Sequence, residues 1–93
     1  MKSFEIILTP ASQKDIYKFS PEVVKEIFND IKILKENPFS IAGSKIKKLK
    51  TLQQSYRLRV GDYRVIYKME KSKIIVLRII DRKELERVLK DIR

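Results

Sequence analysis

Tyr56-Arg57-Leu58-Arg59-Val60-Gly61-Asp62-Tyr63-Arg64-Val65-Ile66-Tyr67 alternates apolar with basic residues on both sides of Gly61-Asp62. Period-two alternation predicts a strand on each flank, and a two-residue loop with Gly first predicts a type II′ hairpin turn. The turn sets the register: 60 faces 63, 59 faces 64, 58 faces 65, 57 faces 66 and 56 faces 67. Tyr56, Leu58, Val60, Tyr63, Val65 and Tyr67 then share a packing face. Arg57, Arg59, Arg64, Ile66 and Lys68 share the other, with Arg59 directly opposite Arg64. Like charges so placed destabilise a hairpin by up to about 1 kcal/mol. An anion between them removes the repulsion, and the planar guanidinium fork suits phosphate. The face reads as a phosphate-backbone site; the plainer alternative is a solvated surface with both guanidiniums splayed into water. A one-residue slip would turn the arginines inward, which the apolar pattern forbids.

Downstream, Glu70 to Lys73 forms a second turn. Ile74-Ile75-Val76-Leu77-Arg78-Ile79-Ile80 is nearly continuous apolar chain and predicts a central strand covered on both faces. A helix follows from Asp81, with Leu85, Val88, Leu89 and Ile92 at helical spacing and Asp81 with Glu84 as a capping box. Upstream, residues 38–54 form a Lys-rich loop pinned by Ile46, Leu49 and Leu52. Phe4 to Leu8 predicts a strand. Thr9-Pro10 and Ser20-Pro21 each place an N-cap before Pro at the first helical position, and predict helices to about Phe19 and to Asn37-Pro38. The expected fold is α+β: an N-terminal strand and a helical hairpin packed on an antiparallel sheet, with a short C-terminal helix. Residues 1–93 are expected to make a single domain with a thin core.

The chain carries a net charge of +10, which favours polyanionic partners. Residues 45 to 68 hold eight cations, Lys45, Lys47, Lys48, Lys50, Arg57, Arg59, Arg64 and Lys68, against one acid, Asp62. His and Cys are both absent, which excludes thiolate zinc sites, Ser-His-Asp triads, a Cys nucleophile and imidazole acid–base chemistry. Only two glycines are present, too few for a Gly-rich phosphate loop. The N-terminal apolar run is too short for a signal core or a membrane span, so a cytoplasmic protein is expected, with no membrane partner. No cofactor is expected. Tyr17, Phe19, Phe28 and several Ile residues near the helices suggest apolar surface for a partner, or simply core.

The hairpin, the apolar strand after it, Asp81-Arg82-Lys83-Glu84-Leu85 and the upstream Lys47-Lys48-Leu49-Lys50 together resemble the RelE/ParE toxin superfamily, and its RelE branch more closely. The resemblance implies a microbial-ribonuclease-like fold and a ribosome-dependent mRNA endonuclease, or mRNA interferase. Such a toxin cuts in the A site by attack of a ribose 2′-hydroxyl on the adjacent phosphate, needs no metal, and inhibits translation. It also implies a cognate RelB-like acidic antitoxin, with the ribosome and mRNA as the other partners. By position, Arg64 and Arg82 are similar to the family's transition-state charge stabilisers. Lys47, Lys48, Lys50, Arg57, Arg59 and Lys68 match its RNA-binding surface. Two positions depart: Asp81 stands where many members have His, and Glu86 where many have Tyr. Glu84 or Glu86 is then the candidate base, with ordinary first-turn helix acids as the alternative. Two other functions stay open: a ParE-like toxin that acts on DNA gyrase without nuclease chemistry, and a non-catalytic basic nucleic-acid-binding module.

Overall fold

The computed structural model describes residues 4–39, 45–50 and 52–92. In chain order they form β1 (Glu5–Leu8), α1 (Pro10–Ile16), α2 (Pro21–Leu34), β2 (Ile46–Lys48), β3 (Ser55–Val60), β4 (Tyr63–Glu70) and β5 (Lys73–Asp81). A 3-10 turn (Arg82–Glu84) and α3 (Leu85–Asp91) follow. One five-stranded sheet has the order β1-β5-β4-β3-β2. The fold is α+β, as expected, but the sheet is mixed: β1 runs parallel to β5, and the other pairings are antiparallel.

Both helical starts follow from their caps. The side chains of Thr9 and Ser20 accept from the amides of Ser12 and Val23, and Pro10 and Pro21 open the helices. The first helix is shorter than predicted. The amides of Tyr17, Lys18 and Phe19 reach back only three residues, to the carbonyls of Lys14, Asp15 and Ile16, which tightens the chain out of the α-helix.

The β3–β4 register is the predicted one, with Arg59 opposite Arg64. Gly61 has φ of +58°, a value glycine adopts without steric penalty, as the first position of a type II′ turn requires. Leu58, Val60, Val65 and Tyr67 are buried together with Ile27, Ile31 and Leu34 of α2. The opposite face is only partly open. Ile66 and Ile80 are buried beneath Val88 of α3, with Leu49, Leu77, Leu85, Leu89 and Ile92 around them.

Three features differ from the sequence expectations. Part of the 38–54 loop is β2, which lies along the free edge of β3; residues 40–44 and 51 of that loop lie outside the described residues. β5 is covered on both faces, but it is second in the sheet and β4 is central. Asp81 accepts from the amide of Lys83, whereas Glu84 pairs with Arg87, so the capping box is half formed.

β5 also carries a bulge. Ile66 pairs with Arg78 and Tyr67 with Val76, which leaves Leu77 as the extra residue. Pairing with β1 ends at Val76, and α1 satisfies the groups beyond it. The Thr9 hydroxyl donates to the carbonyls of Val76 and Leu77. Asp15, 2% exposed, accepts from the Ile79 amide at 2.9 Å and from Nε and Nη2 of Arg78 at 2.7 and 3.0 Å. The ion pair thus fastens α1 to the bulged strand.

Candidate nucleic-acid interface

The arginine face is built by strand alternation, and its centre is the hairpin. Arg59 donates its backbone amide to Lys45, away from β4, so Arg59 and Arg64 form a non-hydrogen-bonded pair, the closer of the two antiparallel kinds. Along the ribbon, Arg57 lies between Lys47 of β2 and Ile66 of β4. Both neighbouring pairs, 59 with 64 and 57 with 47, therefore bring like charges together.

Arg82 joins them through the backbone. Its amide donates to the Asp62 carbonyl at 2.9 Å, which holds the end of β5 against the hairpin turn. Its Nε lies 3.9 Å from Asp62 Oδ1, and both side chains are exposed, so the pair restrains it little. Arg64 Nη1 donates to the carbonyls of Gly61 and Tyr63, each at 2.9 Å. That orients the fork with no carboxylate in hydrogen-bond contact among the described residues. Partial burial holds the Arg64 guanidinium below its usual pKa. The fields of Arg57, Arg59 and Arg82 act the same way, and Asp62 opposes them. Arg57 is lowered by burial and then by Arg59. The structure thus brings Arg57, Arg59, Arg64 and Arg82 into one field of net positive charge, offset only in part by Asp62, where an anion would be stabilised.

The remaining candidates are more dispersed. Lys47, Lys48 and Lys50 are exposed along β2 and after it, and Lys48 pairs with Tyr56. Lys68 lies 3.2 Å from Glu70, which offsets part of its charge. Glu84 is engaged by Arg87 and, with Asp91, raises Arg78 after the stronger effect of the Asp15 hydrogen bonds. Glu86 is exposed in the first turn of α3. The Asp15–Arg78 pair did not emerge from motif reading. Its signal was present, since Arg78 is the lone cation between Ile74 and Ile80, and a cation set among apolar neighbours favours a carboxylate partner. Of the expected apolar surface, Tyr17 is 87% exposed, whereas Phe19 and Phe28 pack on the core. No three Asp or Glu side chains converge as metal ligands among the described residues, and none of the described helices is long and apolar enough to cross a membrane.

Residues 6–86 match the family model described as ParE toxin of type II toxin-antitoxin system. A Methanocaldococcus jannaschii protein bearing the toxin name RelE1 is 36% identical over 72 residues, 76% of this chain and 80% of that one. The fold is similar to that in the archaeal RelE-RelB complex from Pyrococcus horikoshii. There the TM-score is 0.74 at 23% identity, over 86% of this chain and 96% of that one. It is also similar to that in the RelB-RelE antitoxin-toxin complex from Methanococcus jannaschii, with a TM-score of 0.70 at 26% identity, over 88% and 96%. With a family model spanning most of the chain and a RelE relative at this identity, the protein belongs to the RelE/ParE family and is a RelE-like toxin of a type II toxin–antitoxin system.

Proposed function

We propose that this toxin is a ribosome-dependent mRNA endonuclease acting in the cytoplasm, and that a RelB-like acidic antitoxin neutralises it. The observation that carries the reading is the convergence of Arg57, Arg59, Arg64 and Arg82, with Arg64 oriented by carbonyls instead of a carboxylate. In the proposed reaction a ribose 2′-oxygen loses its proton to a base and attacks the adjacent phosphorus in line. The P–O5′ bond breaks, the 5′-oxygen takes up a proton, and a 2′,3′-cyclic phosphate remains. Negative charge grows on the nonbridging oxygens, where fixed guanidiniums lower the barrier. Arg64 and Arg82 take that role, and the chemistry needs no metal. Lys47, Lys50, Arg57, Arg59 and Lys68 hold the flanking backbone; Lys48, opposite Tyr56, lies on the packing side of the sheet and is not among them. Glu86, exposed four residues after Arg82, is the freer candidate base, since Glu84 is held by Arg87.

Primer extension on translating ribosomes tests this. Cuts should fall within A-site codons, and Arg64→Ala or Arg82→Ala should abolish both cleavage and growth arrest while the fold persists. Growth arrest with intact message, together with inhibited supercoiling by purified protein, would instead assign the toxin to gyrase. Steeply salt-dependent RNA binding without arrest would leave a non-catalytic module.

A further inference from the structure

Asp62 is the one acid between Lys45 and Lys68, and the fold sets it among the arginines. Gly61 and Asp62 make the turn from β3 into β4. The Gly61 carbonyl draws Arg64 Nη1 back onto that turn at 2.9 Å. The Asp62 carbonyl accepts from the Arg82 amide, also at 2.9 Å. The Asp62 carboxylate is held much less closely. Its Oδ1 lies 3.9 Å from Arg82 Nε, beyond hydrogen-bond length, and the two side chains are 74% and 60% exposed. The same carboxylate is the acid whose field offsets the cations around Arg64.

A carboxylate and a phosphate offer a guanidinium the same kind of partner, a pair of anionic oxygens for its planar fork. Asp62 therefore meets the arginines with the chemistry an RNA phosphate would bring, but in a form that is easily displaced, since an exposed pair at this distance is weak. The carboxylate is not required for structure. The backbone bond holds Arg82 whether or not the acid is present, and Asn follows Gly in a two-residue loop as readily as Asp does. What the acid changes is the affinity for any anion, because an incoming phosphate must push a like charge aside. That cost falls equally on a lone phosphate and on RNA. A strand that also grips Lys47, Arg57 and Arg59 can bear it, whereas a lone phosphate meets too few cations.

We propose that the Asp62 carboxylate is a built-in stand-in for phosphate: it balances Arg64 and Arg82 in the free toxin, yields to a phosphate of the RNA, and so determines how strong an anionic ligand must be to enter. The proposal rests on RNA being the ligand of the arginine face. Fluorescence anisotropy of a labelled oligouridylate with the purified toxin, and its displacement by inorganic phosphate at constant ionic strength, tests both. Asp62→Asn should bind the oligomer about three- to fivefold more tightly than wild type, the upper part of what one exposed ion pair is worth. The inhibition constant of inorganic phosphate should fall by a similar factor. Glu5→Gln removes the same charge at the far end of β5, opposite Lys73, and should leave both constants unchanged, since salt screens charges so far apart. In an Arg82→Ala background Asp62→Asn should gain no more than about twofold, because the acid has already lost one of its cations. Unchanged or weaker binding by Asp62→Asn, an equal gain in Glu5→Gln, or a full gain that survives Arg82→Ala overturns the stand-in and leaves RNA binding standing. Loss of A-site cleavage by Asp62→Asn at unchanged RNA affinity would assign the carboxylate to proton transfer and overturn the stand-in likewise. Failure of both wild type and Asp62→Asn to bind the oligomer at low salt overturns the RNA reading and the stand-in together.

Discussion

Replacing Arg59 by Gln should make the protein more stable. Arg59 and Arg64 form a non-hydrogen-bonded pair, in which opposed side chains approach most closely. If the charge centres are taken at about 6 Å, close to the side-chain spacing of such a pair, Coulomb's law in a near-aqueous dielectric gives about 0.7 kcal/mol of repulsion. That agrees with the range measured for like charges across strands. The backbone bond from Arg59 to Lys45 does not involve the side chain and should persist. For a domain of this size each kcal/mol moves Tm by about 4–8 °C, so Arg59→Gln should raise Tm by about 3–6 °C at 0.05 M salt. At 1 M salt the screening length falls to about 3 Å and the gain should largely vanish. Arg59→Lys, which keeps the charge, should melt near wild type. Thermal unfolding at the two salt concentrations reads all of this. A lowered Tm, or a gain undiminished at 1 M salt, would refute the idea that the hairpin is held against its own electrostatics. The same substitution should flatten the salt dependence of RNA binding by about 0.7.

Asp15→Ala removes the buried acceptor of Arg78 and of the Ile79 amide. It should destabilise by about 3 kcal/mol, read by denaturant midpoint at unchanged m-value. Tyr67→Phe deletes a buried 2.6 Å donation to the Pro38 carbonyl and should cost about 1–2 kcal/mol in the same assay. Burial, and secondarily Tyr56, raise the Tyr67 phenol well above its ordinary value near 10. Its stabilisation is then complete below pH 10. Above it the unfolded chain loses the proton first, so stability should fall as pH rises, less steeply in Tyr67→Phe. Glu86→Gln should slow A-site cleavage by 10²-fold or more, whereas Glu84→Gln should act mainly by releasing Arg87; equal cleavage by Glu86→Gln and wild type would remove it as the base.

The local features were legible in the chain. Gly61 at a two-residue loop set the hairpin register, and with it the opposition of Arg59 and Arg64. The Thr9-Pro10 and Ser20-Pro21 pairs set both helix starts. Features that depend on remote pairing were not legible. β2 has three residues, two of them lysines, and extends only because β3 offers it an unpaired edge. The parallel pairing of β1 with β5 joins residues nearly seventy positions apart. The bulge at Leu77 is invisible because the run from Ile74 to Ile80 is apolar at almost every position, so no alternation marks the change of face. The place of Arg82 beside Arg64 rests on its backbone bond to Asp62, a tertiary contact. The Glu84–Arg87 pair, at three-residue helical spacing, could have been anticipated.

The hairpin can hold repelling cations because of what lies behind them. Leu58, Val60, Val65 and Tyr67, each no more than 1% exposed, alternate with the arginines along the same two strands. Burying each contributes roughly 1.5–3 kcal/mol, several times the repulsion across the Arg59–Arg64 pair. The apolar half of the alternation fixes the face from which the basic half must project. Arg64 is turned by the carbonyls of Gly61 and Tyr63, and Arg82 is brought in by the amide bond to Asp62. The positive field therefore exists before binding, so little reorganisation is required as charge develops on a bound phosphate. Surface arginines on flexible loops would avoid the repulsion by splaying into water, and would then lose that advantage at the moment of reaction.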